Sequence, residues 1–292
     1  MIITGKKFSK PEMSRVINGD KTIKTEDDKP ETVRLDKFLV AKHSSYNRST
    51  IQTFIKSGYV TINGELAKKP NQQILTTDKI DLHVPESQKV KPELKVLYED
   101  PNCLVVDKPA GLLSMAKGEY CPEPTLEDYG LLVHRLDRDT SGVVILAKDE
   151  ATQKMLRKQF QDRKTHKTYF AIVEGRPKMD EAMIDLPLAR NLRRPTTFQV
   201  DPNGKPAQTY YRVVKTDGAH SLLELKPTTG RTHQLRVHLK YLGTPILGDP
   251  VYGSGAAAAR LFLHASSLEI TIPDGDRRTF SAPLPPEFGD VL

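Results

Sequence analysis

A dense cluster of ionisable side chains lies at residues 134–142, where the sequence reads HRLDRDTSG. The cluster stands between two apolar runs, at 131–133 and 143–147, so a turn between two strands is the simplest interpretation. Such a turn explains Asp, Thr, Ser and Gly through backbone conformation alone. It does not explain a histidine and two arginines beside two aspartates. That combination predicts an organised ion-pair site, which is a common environment for functional carboxylates.

The chain around this cluster resembles the RluA-type pseudouridine synthases, in which HRLDRDTSG is similar to the catalytic motif. The resemblance covers about residues 95–286 and follows the family's order. The other matching segments are VLYEDPNCLVVDKPAGLL at 96–113, KTYFAIVEG at 167–175, GKPAQTYYRV at 204–213, LKPTTGRTHQLRVHL at 225–239, GDPVYG at 248–253, RLFLHA at 260–265 and TFSAPLP at 279–285. One departure is that only 22 residues separate Gly111 from His134, which is short for the family and concerns the loop that frames the entrance.

The resemblance implies an enzyme that cuts the N-glycosidic bond of a uridine in RNA and reattaches the base through carbon. It implies that Asp137 is the catalytic carboxylate, that Arg236 is its basic partner and that Tyr169 is the active-site tyrosine. Arg135 matches the residue that fills the gap left by an extruded nucleotide. The substrate-binding positions that we infer with it are Lys108, His134, Arg231, Thr232, His233 and Gln234. Because the reaction is redox-neutral and hydrolyses nothing, we expect no cofactor and no metal.

Two other kinds of site fit parts of the sequence less well. DRDT at 137–140 is similar to the DxDxT motif of haloacid-dehalogenase-type phosphatases, but His134 and Arg135 separate its first Asp from the apolar strand, and its Thr stands one place too early. His233 and His238 could suggest a metal site. Their spacing of five does not bring two ligands to one helix face, so we predict core or pocket hydrogen bonding instead.

Most of the net positive charge lies in one short N-terminal segment, which contributes +5 of the +7. The chain has 44 Lys and Arg and 37 Asp and Glu, a net charge of +7, and residues 33–69 contain seven basic residues and only two acidic ones. RLDKFL and NRSTIQTFIKSGYVTINGE in this segment resemble the S4-type RNA-binding domain. The resemblance implies contacts with an RNA backbone. The basic residues predicted to make them are Arg34, Lys37, Lys42, Arg48, Lys56, Lys68 and Lys69.

The apolar spacing of this segment predicts its local structure. Leu35, Phe38 and Leu39 form the stripe of one short helix, and Ile51, Phe54 and Ile55 form that of a second helix. Ser49 is predicted to cap the second helix, and Asn63-Gly64 is predicted to form a hairpin turn.

The whole chain is predicted to be an α+β protein with a largely antiparallel mixed sheet, because short β-rich runs dominate after residue 94 and few helices separate them. The predicted helices there are at 151–160 and 232–242. The predicted organisation is a flexible tail at 1–31, the RNA-binding domain at 32–85, a linker at 86–93 and the catalytic domain at 94–292.

Composition limits the partners. The 292 residues include no apolar run long enough for a transmembrane helix and no secretory signal, and two cysteines make no disulfide framework, so we expect a cytoplasmic protein. We expect a monomer that binds structured RNA, with no membrane and no DNA partner. Large-subunit ribosomal RNA is favoured and transfer RNA is the alternative. The rival from another class is a non-catalytic RNA-binding ribosome-assembly factor.

Overall fold

The computed structural model describes residues 30–84, 90–116 and 121–292. These residues form two compact units, a smaller one up to Val90 and a larger one that contains Lys91–Met115 and Pro124–Leu292. Most of the predicted tail and residues 86–89 of the predicted linker lie outside the described residues.

The smaller unit has two helices packed on short strands. Its helices are α1 (Leu35–Lys42) and α2 (Arg48–Lys56). Its strands are β1 (Thr32–Arg34), β2 (Val60–Ile62), β3 (Glu65–Leu66), β4 (Gln73–Leu75) and β5 (Ile80–Leu82). Strand β1 pairs with β4, and β2 lies between β3 and β5, all antiparallel. The two predicted helical stripes meet in its core, where Leu35, Leu39, Ile51 and Phe54 are fully buried.

One local prediction in this unit is right and another is wrong. Asn63 and Gly64 both have positive φ and join β2 to β3, as the hairpin prediction required. The predicted cap Ser49 is wrong, because α2 begins one residue before it. Asn47 is the cap, with an extended backbone and an Oδ1 that accepts the Thr50 N–H at 3.0 Å.

The larger unit contains twelve strands among the described residues, ten in one sheet and two in a separate hairpin. Its strands are β6 (Lys95–Glu99), β7 (Cys103–Lys108), β8 (Leu131–Leu132), β9 (Ser141–Ala147), β10 (His166–Glu174), β11 (Glu181–Asp185), β12 (Leu188–Arg190), β13 (Phe198–Val200), β14 (Gln208–Thr216), β15 (His220–Pro227), β16 (Leu263–Thr271) and β17 (Arg277–Ser281). Its helices are α3 (Glu150–Gln161), α4 (Gln234–Tyr241) and α5 (Glu287–Val291). Strands β12 and β13 form a separate hairpin.

The order across the sheet is β11-β14-β15-β10-β16-β9-β7-β6, with β17 beside β16 and β8 beside β9. Every pair is antiparallel except β9 with β16, which confirms the predicted α+β class. The β-rich runs at 96–98, 103–106, 143–147, 169–173, 209–214, 222–225 and 268–272 predict strands in this unit, and each overlaps a longer strand of the sheet. Strands β11, β12, β13 and β17 were not predicted. Strands β12 and β13 have only three residues each, β11 has a charged residue at either end, and four of the five residues of β17 are charged or polar.

The parallel contact lies beside the polar cluster. Gly142 pairs with Ala265 of β16, and Ala265 pairs in turn with Tyr169 of β10. The turn at 134–140 leads into β9 at this point. The sheet centre therefore brings the HRLDRDTSG segment and the tyrosine of β10 to adjacent strands.

Candidate active site

One cavity of the larger unit is lined by residues from four parts of the sequence. They are the turn before β9, strand β10, the segment that runs from the end of β15 into α4, and Leu263 at the start of β16. Asp137, Tyr169 and Arg236 all line this cavity. Arg135, Arg231, Thr232, His233 and Gln234 line it as well. The fold thus brings together eight of the ten residues that were predicted to be catalytic or substrate-binding.

The backbone of the turn is fastened on both sides of Asp137. The Lys108 ammonium, fully buried, donates to the carbonyl oxygens of Arg138 at 2.8 Å, Leu112 at 2.8 Å and Pro109 at 2.9 Å. The buried Ser114 hydroxyl donates to the Leu136 carbonyl at 2.7 Å and accepts the Leu136 N–H at 3.2 Å. Asp137 lies between two anchored peptide groups, so its side chain starts from a defined position.

Arg236 holds the Asp137 carboxylate and a second carboxylate at the same time. Its Nη1 donates to Asp137 Oδ2 at 3.2 Å, while its Nε and Nη2 donate to the two oxygens of Asp249 at 2.7 and 2.8 Å. The side chains of Arg236 and Asp249 are 5% and 0% exposed, and that of Asp137 is 19% exposed. Burial opposes the charge on Asp249, but the Arg236 hydrogen bonds hold the pKa of this carboxyl below its usual value.

Asp249 and Tyr252 are site residues that the sequence reasoning missed, because the GDPVYG segment matches the family without a residue role and Gly248-Asp249-Pro250 has a sufficient explanation as a turn. Asp249 also accepts the backbone N–H groups of Val251 and Tyr252, both at 2.9 Å. The Tyr252 ring lies 5.1 Å from the Arg236 guanidinium carbon, and its hydroxyl is 2.8 Å from His233 Nδ1. The turn thus positions the arginine that contacts Asp137. The role of this turn is visible only in its contacts with the buried Arg236, and a sequence does not show such contacts.

His233 faces Asp137 from the loop before α4. It has φ of 56°, and its Nε2 lies 3.9 Å from Asp137 Oδ2. Burial lowers the pKa of His233, although the Asp137 charge acts in the opposite direction. Gln234 is different, since its amide is used within the loop. Its Oε1 accepts from Thr229 Oγ1 at 2.7 Å and from the Arg231 N–H at 3.0 Å.

Tyr169 lies on β10 and packs against two of the buried apolar clusters of the sheet. Burial, with a smaller contribution from Asp137, raises the pKa of its phenol. The neutral phenol is therefore the form present at neutral pH, and it can donate a proton or a hydrogen bond.

Lys108 and His134 do not line this cavity, although the sequence predicted both as substrate-binding. The Lys108 ammonium donates its hydrogen bonds to three backbone carbonyl oxygens of the protein. His134 Nε2 accepts the Ile145 N–H at 3.2 Å, and its ring stacks on Phe160 with centroids 4.6 Å apart. Burial lowers the pKa of His134 to about 3, so it is a neutral residue that joins β9 to α3.

His238 does not face the cavity either, and it behaves as the predicted hydrogen-bonding residue. Both of its ring nitrogens have partners at 3.0 Å, the Thr209 hydroxyl and the Leu186 carbonyl. Within the described ranges no group of three or more His, Cys, Asp and Glu residues could hold a metal ion. The helices of the described residues include none long and apolar enough to span a membrane.

The basic residues of the smaller unit fall into two groups. Arg34 and Arg48 both bind the buried carboxylate of Asp36, with shortest distances of 3.0 and 2.9 Å, and Gln52 donates to it at 2.9 Å. Despite burial, these hydrogen bonds hold the pKa of Asp36 well below its usual range. The five predicted lysines (Lys37, Lys42, Lys56, Lys68 and Lys69) are all exposed.

Comparison with known proteins agrees with both units. The model of the RNA pseudouridylate synthase family matches residues 102–241, and that of the S4 domain matches residues 33–80. An uncharacterized RNA pseudouridine synthase of Aquifex aeolicus is 39% identical over 246 residues, which is 76% of this chain and 78% of that protein. The chain belongs to the RNA pseudouridine synthase family. It is of the RluA type, and its two matched units are the synthase domain and the S4 RNA-binding domain.

Further relatives support the same assignment. Ribosomal large subunit pseudouridine synthase D of Borreliella burgdorferi is 34% identical, over 89% of both chains. Human RNA pseudouridylate synthase domain containing 1 has a similar structure, with a TM-score of 0.58, 28% identity and coverage of 65% of this chain and 83% of that one. As a pseudouridine synthase, the protein is an isomerase that converts uridine to pseudouridine in an RNA partner.

Proposed function

We propose that this pseudouridine synthase modifies large-subunit ribosomal RNA, using Asp137 as a nucleophile on an extruded uridine. The relatives that bear the name ribosomal large subunit pseudouridine synthase D, in Borreliella burgdorferi and Escherichia coli O157:H7, align over 89% of this chain. That share is too large to be the synthase domain alone. The S4 domain and its exposed lysines support a large structured RNA as substrate, and the cytoplasm is the compartment this proposal requires.

The observation that carries the catalytic role is the asymmetric setting of the Asp137 carboxylate. Its Oδ2 accepts the Arg236 hydrogen bond, while its Oδ1 accepts no hydrogen bond from any described residue. Arg236 orients the Asp137 carboxylate through this hydrogen bond, and Asp249 binds the other side of the guanidinium, so the arginine is shared between two carboxylates. An oriented carboxylate with one open oxygen is suited to nucleophilic attack.

Tyr169 and Arg135 complete the proposed reaction. The Tyr169 ring can stack on the uracil, and its neutral hydroxyl can take part in proton transfer after the base is reattached. Arg135 is exposed beside Asp137, with its Nη1 3.3 Å from Met115 Sδ. Its guanidinium can occupy the stack that the uridine leaves, since extrusion costs a few kcal/mol that a replacement side chain offsets.

The substrate is tested by mapping pseudouridine with a carbodiimide reagent in ribosomal and transfer RNA. The comparison is between a strain that lacks this gene, the same strain with the gene restored, and the strain with the Asp137→Asn gene. We expect a signal in 23S-type large-subunit RNA that depends on the intact gene. A signal that disappears from transfer RNA instead would support the alternative substrate.

The extrusion role is tested with Arg135→Ala on two RNAs of the same sequence, one a folded stem-loop and the other unstructured. We expect single-turnover conversion to slow much more on the stem-loop, because only there does the uridine leave a paired stack. Equal slowing on both RNAs would contradict the role.

A further inference from the structure

Lys167 is a part-buried cation of the cavity for which the described residues supply no carboxylate partner. It lies on β10 two residues before Tyr169, so the two side chains emerge on the same face of the strand, and both line the cavity. Among the described residues its ammonium makes one hydrogen bond, a long one of 3.4 Å to the Thr229 carbonyl. Burial is the one resolved influence on its pKa, which falls to about 8, and no carboxylate contributes.

Three neighbouring cations have closer protein partners than Lys167 has, and a fourth, Arg135, is exposed to solvent. Arg236 binds two carboxylates, and Lys108 binds three carbonyl oxygens. Arg231 donates to the Pro206 carbonyl at 3.1 Å. Buried charges in proteins are normally paired, because removing an ion from water is costly. The protein itself therefore compensates little of the desolvation cost of Lys167.

The surroundings of Lys167 leave room for an anion. Gly230 lies on the rim of the cavity next to the ammonium, and a Cβ at that position would be 4.0 Å from Nζ. The rim here is bare backbone. A protein carboxylate is absent among the described residues around it, so the anion must come with the substrate. An RNA substrate carries its negative charge on the phosphates.

We propose that Lys167 binds a backbone phosphate next to the target uridine and so fixes the extruded nucleotide with its base beside Tyr169. The proposal rests on the RNA substrate and extrusion inferred above, and it adds a phosphate-binding subsite inside the cavity. Phosphate contacts position a nucleic acid without reading its sequence, and a lysine ammonium binds a phosphate as a compact charge.

The test is a double-mutant cycle in which a Lys167 substitution in the protein is combined with the replacement of one phosphate in the RNA. The stem-loop that carries the mapped uridine is made in three forms, with native phosphates or with a neutral methylphosphonate on the 5′ or the 3′ side of that uridine. Lys167→Met removes the charge at similar length, and Lys167→Arg retains it. Lys164→Met is the matched control, because Lys164 precedes the same strand and is exposed.

At one of the two positions we expect the methylphosphonate to slow subsaturating single-turnover conversion by wild-type protein by about 10- to 100-fold, the range for a hydrogen bond to a charged group. The Lys167→Met protein should convert native RNA more slowly than wild type by a similar factor. The methylphosphonate at the sensitive position should not slow this variant further. Lys167→Arg should recover most of the rate, and Lys164→Met should behave as wild type.

If the loss from Lys167→Met and the loss from the methylphosphonate multiply at both positions, the two changes act independently. This result would overturn the phosphate contact, and Lys167 would then support the Thr229 loop. If Lys167→Met fails to fold, Lys167→Gln, which keeps a polar end and removes the charge, replaces it in the same cycle, and losses that multiply at both positions again overturn the contact. Wild-type protein that binds the native stem-loop without converting it would overturn the proposed function itself, which is a different result from multiplying losses.

Discussion

Arg236 binds two carboxylates that differ in burial. This difference decides which carboxylate charge becomes costly when the arginine is removed. The Asp249 side chain is fully buried, whereas Asp137 lies at the cavity wall and can be hydrated. Removing one partner of a buried ion pair costs about 3–5 kcal/mol, because the remaining charge is stranded. The charge stranded by Arg236→Ala is mainly that of Asp249.

We therefore expect Arg236→Ala to lower the free energy of unfolding by about 3–5 kcal/mol in urea denaturation. Adding Asp249→Asn to this variant should restore more stability than adding Asp137→Asn, since the amide removes the stranded buried charge. Stronger rescue by Asp137→Asn would show that Asp137 is the principal partner of the arginine.

Several site residues could be predicted from their sequence motifs, and their contacts could not. Asp137, Tyr169 and Arg236 stand in separate motifs, and the sheet brings them to one cavity. Asp249 escaped notice because Asp before Pro in a turn has a sufficient local explanation. Lys108 and His134 were assigned to substrate because they stand in motifs, but they are satisfied inside the protein by carbonyl groups and by Phe160.

At the scale of the elements, the parallel pairing of β9 and β16 places the turn at 134–140 beside β10. Strand cores such as 143–147 could be predicted from apolar runs, but pairing partners distant in sequence could not. Gly142 makes the close approach possible. Its φ is 117°, and a Cβ there would lie 2.1 Å from the Ala265 carbonyl oxygen. No residue with a side chain fits at this position without moving the strands apart.

We expect Gly142→Ala to destabilise the larger unit by about 2–4 kcal/mol, since strain and a backbone clash act together. Gly111→Ala is the matched control, because Gly111 also has a positive φ, of 87°, but nothing lies within 4 Å of its added Cβ. It should cost only about 1 kcal/mol of backbone strain. Equal midpoints of thermal unfolding for the two variants would show that the contact with Ala265 is unimportant.

At the scale of the whole molecule, we propose that RNA affinity and chemistry are carried by separate units of the chain. The apolar cluster of the smaller unit is made of residues from Val33 to Val84, while the cavity is lined by residues from Arg135 onwards. We propose that the catalytic domain, predicted to begin at residue 94, folds without the segment before it. Because Arg34 and Arg48 already bind Asp36, the exposed lysines are expected to provide most of the phosphate contacts.

A protein that starts at Glu93 should keep the single-turnover rate at saturating RNA but bind RNA more weakly. Neutralising about five phosphates gives a slope of log affinity against log salt of about −3.5 to −4.5, so truncation should flatten the slope by that amount. The five lysines changed to glutamine in the full chain form the control and should flatten it similarly. An unchanged slope in filter binding would mean that the S4 domain does not contact the RNA.

The most direct test of this account is the single-turnover conversion of uridine by purified Asp137→Asn protein. The amide keeps the shape of the side chain and removes the nucleophilic charge, so we expect no conversion above the uncatalysed background. Circular dichroism and RNA affinity should stay close to those of wild type. Asp139→Asn, which changes a carboxylate outside the cavity lining, should retain most of the activity. Conversion by Asp137→Asn at a rate comparable to wild type would contradict the account.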